Sequence, residues 1–288
     1  MRKTAAPSPQ IKGNLQPTLP LDEFQPERPD LTDWDVILLN TSGGKDSQTM
    51  IAEACRQADR AGVPRNRLIA VHANLGRVEW PDTLELVKAQ ADAQGLELRT
   101  VSRPQGDLLE HVEKRGMWPS PAARYCTSDH KRSQISKVVT ALDREIRTKA
   151  RFKLLNVMGL RAAESPARAK KVPYSPNRYF STKTRTVYDW LPIHDWTDEM
   201  VWDDIKASGV PHHPAYDLGM PRLSCVFCIY APKQALTLAA RHNPELLKQY
   251  VELERRIDHT FRPELSMQQV ARESEEPAED QEIASWRM

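Results

Sequence analysis

The chain has 288 residues, a formal net charge of +2 and 40% apolar residues, which suits one α/β domain with a small appendage. No apolar run approaches the roughly 20 residues of a membrane-crossing helix, so no such helix is expected. Four cysteines (Cys55, Cys126, Cys225 and Cys228) are too few for a disulfide scaffold at this length.

Residues 1–32 carry six prolines among polar residues and read as a disordered arm. Arg2 and Lys3 are not followed by an apolar stretch, so no signal peptide is expected and the chain is expected in the cytoplasm. Residues 36–39 (Val-Ile-Leu-Leu) have the pattern of a strand buried on both faces. Met50, Ile51, Ala54, Cys55 and Ala58 then recur at helical spacing until Gly62. A second strand at 68–71 ends in His72-Ala73-Asn74, and Pro81 opens a helix that Gly95 closes. The spacing continues with a strand at 96–101, a short helix at 108–114, a longer helix from 128 to about 149 and a strand at 154–158. Residues 165–186 break into Pro, Ser and basic residues and read as an exposed loop or lid. A strand at 187–193 and a helix at 198–206 follow. Beyond Cys228, helices are expected to about residue 257 and again near 266–272, then a disordered acidic tail over 273–288. Strands alternating with helices predict a doubly wound parallel sheet, whose ligands bind beyond the carboxyl ends of its strands.

Between the first strand and its helix lies Ser42-Gly43-Gly44-Lys45-Asp46-Ser47. Glycines there let the backbone approach a phosphate, and the N–H groups and dipole of the helix start point at it. Lys45 adds a full charge, Ser42 and Ser47 add hydroxyls, and Asp46 is a candidate Mg²⁺ ligand. A Walker A loop would need a further glycine at position 39, which is leucine.

This string between strand and helix resembles the PP-loop of ATP pyrophosphatases. The resemblance extends over about residues 34–235 to the phosphoadenosine phosphosulfate (PAPS) reductase-like family. His72, Asn74 and the Glu79-Trp80-Pro81 run match one of its loops. Gly159, Arg161, Glu164 and Ser165, with Arg168 beyond, match another. The resemblance implies an adenine nucleotide alpha hydrolase-like fold, with a domain at 33–235 that carries the Cys225 and Cys228 pair near its C-terminal end and a helical extension at 236–272. It implies that ATP and Mg²⁺ are bound through Ser42, Gly43, Gly44, Lys45, Asp46, Ser47, His72, Asn74, Gly159, Arg161, Glu164 and Ser165. Lys45, Asp46 and Arg161 are the expected catalytic residues.

The cysteines direct the chemistry. Cys225-Val226-Phe227-Cys228 is a spacing that lets two sulfurs hold one metal centre, and Cys55 falls on an apolar helix face as a core thiol. In the cluster-bearing sulfonucleotide reductases two adjacent cysteines stand where this chain has Tyr125-Cys126. Three candidate ligands remain, Cys126, Cys225 and Cys228. A three-thiolate [4Fe–4S] cluster resembles that of PP-loop tRNA thiolation enzymes; the alternative is zinc, completed by His130 or His213. The sulfonucleotide reductases also attack with a cysteine near the C-terminus, and no cysteine follows Cys228 in this sequence. The expectation is therefore adenylylation of an acceptor by ATP for sulfur transfer. The alternatives are PAPS or adenylyl-sulfate reduction and a non-catalytic nucleotide-binding subunit. Twelve Lys and Arg over residues 144–185, against Glu145 and Glu164, suggest tRNA or DNA as acceptor. A sulfur donor such as a cysteine desulfurase is implied, and a homodimer is left open.

Overall fold

The computed structural model describes residues 28–276. The expected N-terminal arm, up to residue 27, and the acidic tail from residue 277 lie outside the described residues. Leu31–Asp33 forms a 3₁₀ turn capped by the Asp30 carboxylate, and Leu31 is buried, so packing begins just ahead of Trp34.

Strands β1 (Val36–Thr41), β2 (Leu68–Ala73), β3 (Glu97–Val101), β4 (Phe152–Met158), β5 (Tyr174–Pro176) and β6 (Arg185–Trp190) form one sheet of order β3-β2-β1-β4-β6-β5. All neighbours are parallel except the β5–β6 pair. The helices are α1 (Lys45–Arg60), α2 (Thr83–Asp92), α3 (Leu108–Arg115), α4 (Tyr125–Thr127), α5 (Ser133–Ile146), α6 (Pro166–Ala169), α7 (Asp198–Ser208), α8 (Lys233–His242), α9 (Pro244–Ile257) and α10 (Met267–Glu275). No helix among the described residues is long and apolar enough to cross a membrane.

Alternation along the strands divides the core into layers. Ile37, Leu39, Leu68, Ala70, Leu155 and Val157 pack with Met50, Ile51, Ala54 and Cys55 of α1 on one face. Val36, Leu38, Ile69, Val71, Leu154 and Val187 pack with Val138, Val139 and Leu142 of α5 on the other. Each such side chain contributes about 1.5–3 kcal/mol when withdrawn from water. A third cluster joins α3 to α8, α9 and α10, with the Trp118 ring stacked on Tyr250 at 5.1 Å and Phe261 edge-on to Trp118 at 5.4 Å. Glu254 fastens the end of this helical cap by accepting from the Phe261 and Met267 N–H groups at 2.6 and 2.9 Å.

Three sequence expectations change. Within the expected loop at 165–186, β5 pairs antiparallel to β6 and α6 is a single turn with Ser165 as its N-cap. Such short elements carry too few residues for a periodicity to register. The expected helix at 128–149 is α4, a π-helical turn over Ser128–Arg132 and α5 in succession, ending at Ile146. In the tail, the expectation of disorder from residue 273 is corrected, because α10 continues to Glu275 and Lys233 Nζ lies 2.6 Å from the Glu273 carboxylate.

The sheet changes direction of build between β1 and β4, and this switch point is where an open α/β sheet presents its ligand crevice. A polar ladder crosses it. Asn40 Nδ2 donates to Asn156 Oδ1 at 2.8 Å, and Asn156 Nδ2 donates to Asp189 Oδ1 at 2.7 Å. Gly159, just after β4, packs on the first turn of α1 so closely that a Cβ there would lie 2.5 Å from the Asp46 carbonyl oxygen. Backbone cannot yield as a flexible side chain does. Gly159→Ala is therefore expected to destabilise the fold by about 1–3 kcal/mol, the usual cost of overpacking. Thermal or urea unfolding measures this, and an unchanged midpoint would refute the contact.

Candidate functional site

At the mouth of β1 the backbone turns at Gly43, whose φ of +74° lies in the left-handed region that a β-carbon disfavours. Gly44 is the N-cap of α1 and offers no side chain to its free N–H groups. The loop is held from within, since Ser47 Oγ donates to the Gly44 carbonyl at 2.9 Å and accepts from the Ser42 N–H at 3.2 Å. The Lys45 N–H donates to the Tyr216 hydroxyl at 2.9 Å. Burial raises the Tyr216 pKa, so the hydroxyl remains neutral.

Lys45 is 5% exposed, and its ammonium lies 3.0 Å from Asp198 Oδ1 and 3.4 Å from Asp46 Oδ1. Arg161 is 1% exposed and bridges the same carboxylates: Nε donates to Asp46 at 2.6 Å, a terminal nitrogen to Asp198, and another to the Trp196 carbonyl at 3.1 Å. Burial alone would lower the Arg161 pKa, but the charges of Asp46 and Asp198 outweigh it and raise it. At Asp198 burial acts upward, yet the hydrogen bond and charge of Lys45, with Arg161 beyond, hold the carboxyl below the ordinary range. The three expected catalytic residues thus meet in one cluster, closed by a fourth that the sequence did not single out. Asp198 is the first residue of α7, behind the Thr197 N-cap. Its acidic position in a first helical turn is ordinary, and no local signal ties it to a lysine far upstream.

The other rim residues divide by role. His72 is buried, with Nδ1 at 3.2 Å from the Thr41 carbonyl and Nε2 at 3.2 Å from Glu79; a carbonyl only accepts, so Nδ1 carries a proton. The Glu164 carboxylate accepts from the Arg161 N–H at 3.0 Å, pairs with Arg168 and lies 3.6 Å from Arg222. Ser165 Oγ caps α6, and Asn74 Oδ1 accepts from the Gly76 N–H at 2.7 Å. These two side chains are committed to turns and do not line the central cavity.

That cavity, of about 440 Å³, runs from Asn40, Thr41, Ser42 and His72 to Cys126, Cys225 and Cys228, beneath the helical cap. Arg168, Arg222 and Lys131 also line it. Tyr125 does not; its ring packs in the core and its hydroxyl donates to the Met117 carbonyl at 2.6 Å. Burial pushes the Cys225 thiol up to about 12 and raises that of Cys228. Cys55 is buried under α1, away from this cavity, with its thiol pushed up to about 11 by burial.

Among the described residues no three or more cysteine, histidine or acidic side chains converge closely enough to hold one metal ion. The zinc site with His130 or His213 is not assembled. His213 accepts from the Ala215 N–H at 3.1 Å and pairs through Nε2 with Thr83 Oγ1 at 3.0 Å, which occupies both nitrogens. His130 is buried against His111 at 3.0 Å and pushed down to about 4 by burial and its neighbour. Three soft thiols on one cavity suit an iron–sulfur cluster better, because each meets a different iron and the sulfurs need not converge on a point.

The basic segment does not form a single patch. Arg161, Arg168 and Arg185 turn inward to Asp46, Glu164 and Asp143, and Arg147 lies 2.8 Å from Asp143.

The family model for the phosphoadenosine phosphosulfate reductase domain matches residues 36–231. An uncharacterized 37.8 kDa protein of Escherichia phage 186 is 29% identical over 172 residues, covering 59% of this chain and 48% of that protein. An uncharacterized protein of Methanocaldococcus jannaschii is 26% identical over 223 residues, covering 77% of this chain and 48% of that protein. The chain thus spans about half the length of these relatives. Among solved structures, the PAPS reductase of Candida auris is 16% identical with a TM-score of 0.46, over 66% of this chain and 80% of its own. The U34-tRNA thiolase NcsA of Methanococcus maripaludis, with its [4Fe-4S] cluster, is 13% identical with a TM-score of 0.40, over 83% and 70%.

Asp198 occupies the ammonium that a phosphate would take, and its side chain is 68% exposed. Asp198→Ala is expected to tighten ATP binding by up to about fivefold, matching the ~1 kcal/mol upper range of exposed ion pairs. Titration calorimetry measures this, and weaker binding would mean that Asp198 instead holds Lys45 and Arg161 in place. In metal-free protein the raised Cys225 pKa leaves the reactive thiolate scarce at neutrality. Its alkylation rate should climb with pH without a plateau up to about pH 10, and a plateau near pH 8 would contradict the burial.

Proposed function

The chain belongs to the phosphoadenosine phosphosulfate reductase domain family, and on that premise we propose that it cleaves ATP to adenylylate an acceptor for sulfur transfer. The observation that carries this reading is the shared chamber: Ser42 of the glycine loop and the three thiols line one cavity. Activation of an acceptor and delivery of sulfur to it need the same atom to be reached from both sides.

An oxygen of the acceptor attacks the α-phosphorus, the bond to the β-phosphate oxygen breaks, and pyrophosphate leaves. A sulfur nucleophile then attacks the acceptor carbon, and AMP departs with the acceptor's oxygen. The N–H groups opening α1 and the Lys45 ammonium receive the phosphates, and Mg²⁺ arrives on them. Preorganised donors of this kind supply a few kcal/mol each where charge develops. Arg161 offsets the charge of Asp46 beside the phosphates. Cys126, Cys225 and Cys228 would hold an iron–sulfur cluster, whose chemistry would be to carry the sulfur. Lys131 acts on the thiols from one side, its charge lowering the proton affinity of Cys225 and Cys228. The acceptor is a nucleic acid, a tRNA base in thiolation or, with phosphorus in place of carbon, a DNA phosphate in phosphorothioation.

Reduction of a sulfonucleotide is the reaction from which this must be distinguished, since it releases sulfite and consumes no ATP; a bare nucleotide-binding subunit would do neither. Lys45→Ala is expected to lower acceptor-dependent pyrophosphate release at least about 100-fold, within the range for a lost transition-state donor. Anaerobically purified protein should contain iron and absorb broadly near roughly 400 nm, and Cys225→Ser with Cys228→Ser should abolish both. Undiminished pyrophosphate release in the lysine variant, or thioredoxin-coupled sulfite release without ATP, would refute the proposal.

A further inference from the structure

Beside the thiol cavity lies a second, open cleft of about 500 Å³, lined by Arg115, Arg124, Arg132, Thr127, Ser128 and Asp129 with Ala123 and Tyr125. Among the described residues none of its three arginines is in an ion pair. Each guanidinium lies over an aromatic ring instead: Arg115 on Tyr125 at 4.7 Å, Arg124 on Tyr230 at 5.1 Å and Arg132 on Tyr179 at 4.5 Å. The one carboxylate in the lining, Asp129, accepts from Ser128 Oγ at 2.6 Å. The cleft therefore carries excess positive charge on planar groups that rest on rings, Arg124 also donating to Thr127 Oγ1 at 3.5 Å. Such groups suit phosphate oxygens.

Two further observations narrow the ligand. Tyr179 is 53% exposed, so it offers ring surface for stacking at the edge of the cleft. Arg124 and Thr127 line both the cleft and the thiol cavity, and Cys126 stands between them in sequence. The π-helical turn at Ser128–Arg132 sets Arg132 on this cleft immediately after the helix that carries Cys126. A strand lying along the arginines would pass the entrance to the thiols.

We propose that this cleft binds a single strand of nucleic acid, with phosphates on Arg115, Arg124 and Arg132 and a base stacked on Tyr179. A duplex does not fit this description, because its bases are already stacked and a reacting base must leave the stack to enter the cavity. The inference rests on the proposed function only in taking the acceptor to react beside the thiols. Its test requires no ATP, so the two can fail separately.

The test is fluorescence anisotropy with a labelled oligonucleotide, single-stranded and as duplex, at two salt concentrations without ATP. The proteins compared are wild type, Arg115→Gln with Arg132→Gln, Tyr179→Ala, and Lys170→Gln with Lys171→Gln from the exposed part of the basic segment. The double arginine variant should bind the single strand at least tenfold more weakly. It should also lose about 1.4 from the slope of log K against log salt, near 0.7 for each phosphate contact removed. Tyr179→Ala should cost about fivefold or more, the lower range for one stacked base. The lysine pair should stay within about twofold of wild type, since it lies outside the cleft. Unchanged melting temperatures and circular dichroism spectra show that the surface variants are folded. Unaltered strand affinity in the arginine variant would overturn the proposal, as would tighter binding of duplex than of single strand. Competition by polyglutamate as effective as by the strand would assign the cleft to an acidic polypeptide and overturn it too.

Discussion

Arg161 and its carboxylates hold the site together. A guanidinium withdrawn almost wholly from water is tolerable only with charges and hydrogen bonds on every side, and Asp46, Asp198 and the Trp196 carbonyl provide them. Those partners come from the first turn of α1, the start of α7 and the chain just before it. The cluster therefore joins three segments that are distant in sequence at the carboxyl edge of the sheet. Breaking a buried pair by removing one partner costs roughly 3–5 kcal/mol in comparable sites, because the other charge is stranded. Gly159 is the steric counterpart of the same junction: only a residue without a β-carbon allows the β4 loop to rest on the α1 backbone.

Lys45 stands at the centre of this arrangement with two carboxylates near its ammonium. The pairing with exposed Asp198 is weak enough for a phosphate to replace, whereas the Asp46–Arg161 pair is largely sealed. In the proposed reaction a lysine held by a replaceable carboxylate is already oriented, so an incoming polyphosphate needs little rearrangement of the site.

The helical cap contributes the second half of the chamber. Cys225 and Cys228 sit where the chain crosses from the sheet into α8, with Val226 and Phe227 buried in the cap's core as anchors. Cys126 reaches the same cavity from the α4 turn. The spacing between the chamber's two ends is thus set by how the cap packs, through Trp118, Tyr250 and Phe261, against the sheet's edge. The arginines of the adjoining cleft lean on rings rather than carboxylates, and their charge is left available to a ligand.

The sequence alone determined the parallel α/β architecture, the glycine loop and the trio of cysteines. Buried strands print their alternation locally, a phosphate loop needs glycines in consecutive positions, and sulfur ligands are few and conspicuous. It also indicated Arg161, through its place after the fourth strand. Only the tertiary structure decided the remainder. Asp198 and Tyr216 join the site because α7 and the turn beyond it fold back over the start of α1, and neither residue has a local pattern that marks it. The basic run at 144–185 suggested a nucleic-acid partner, yet ion pairing turned Arg161, Arg168 and Arg185 inward. The arginines that remain for a ligand come from α3 and from the turns on either side of Cys126. Charge summed along a chain ignores which side chains find buried partners, and those partners are distant in sequence and near only after folding.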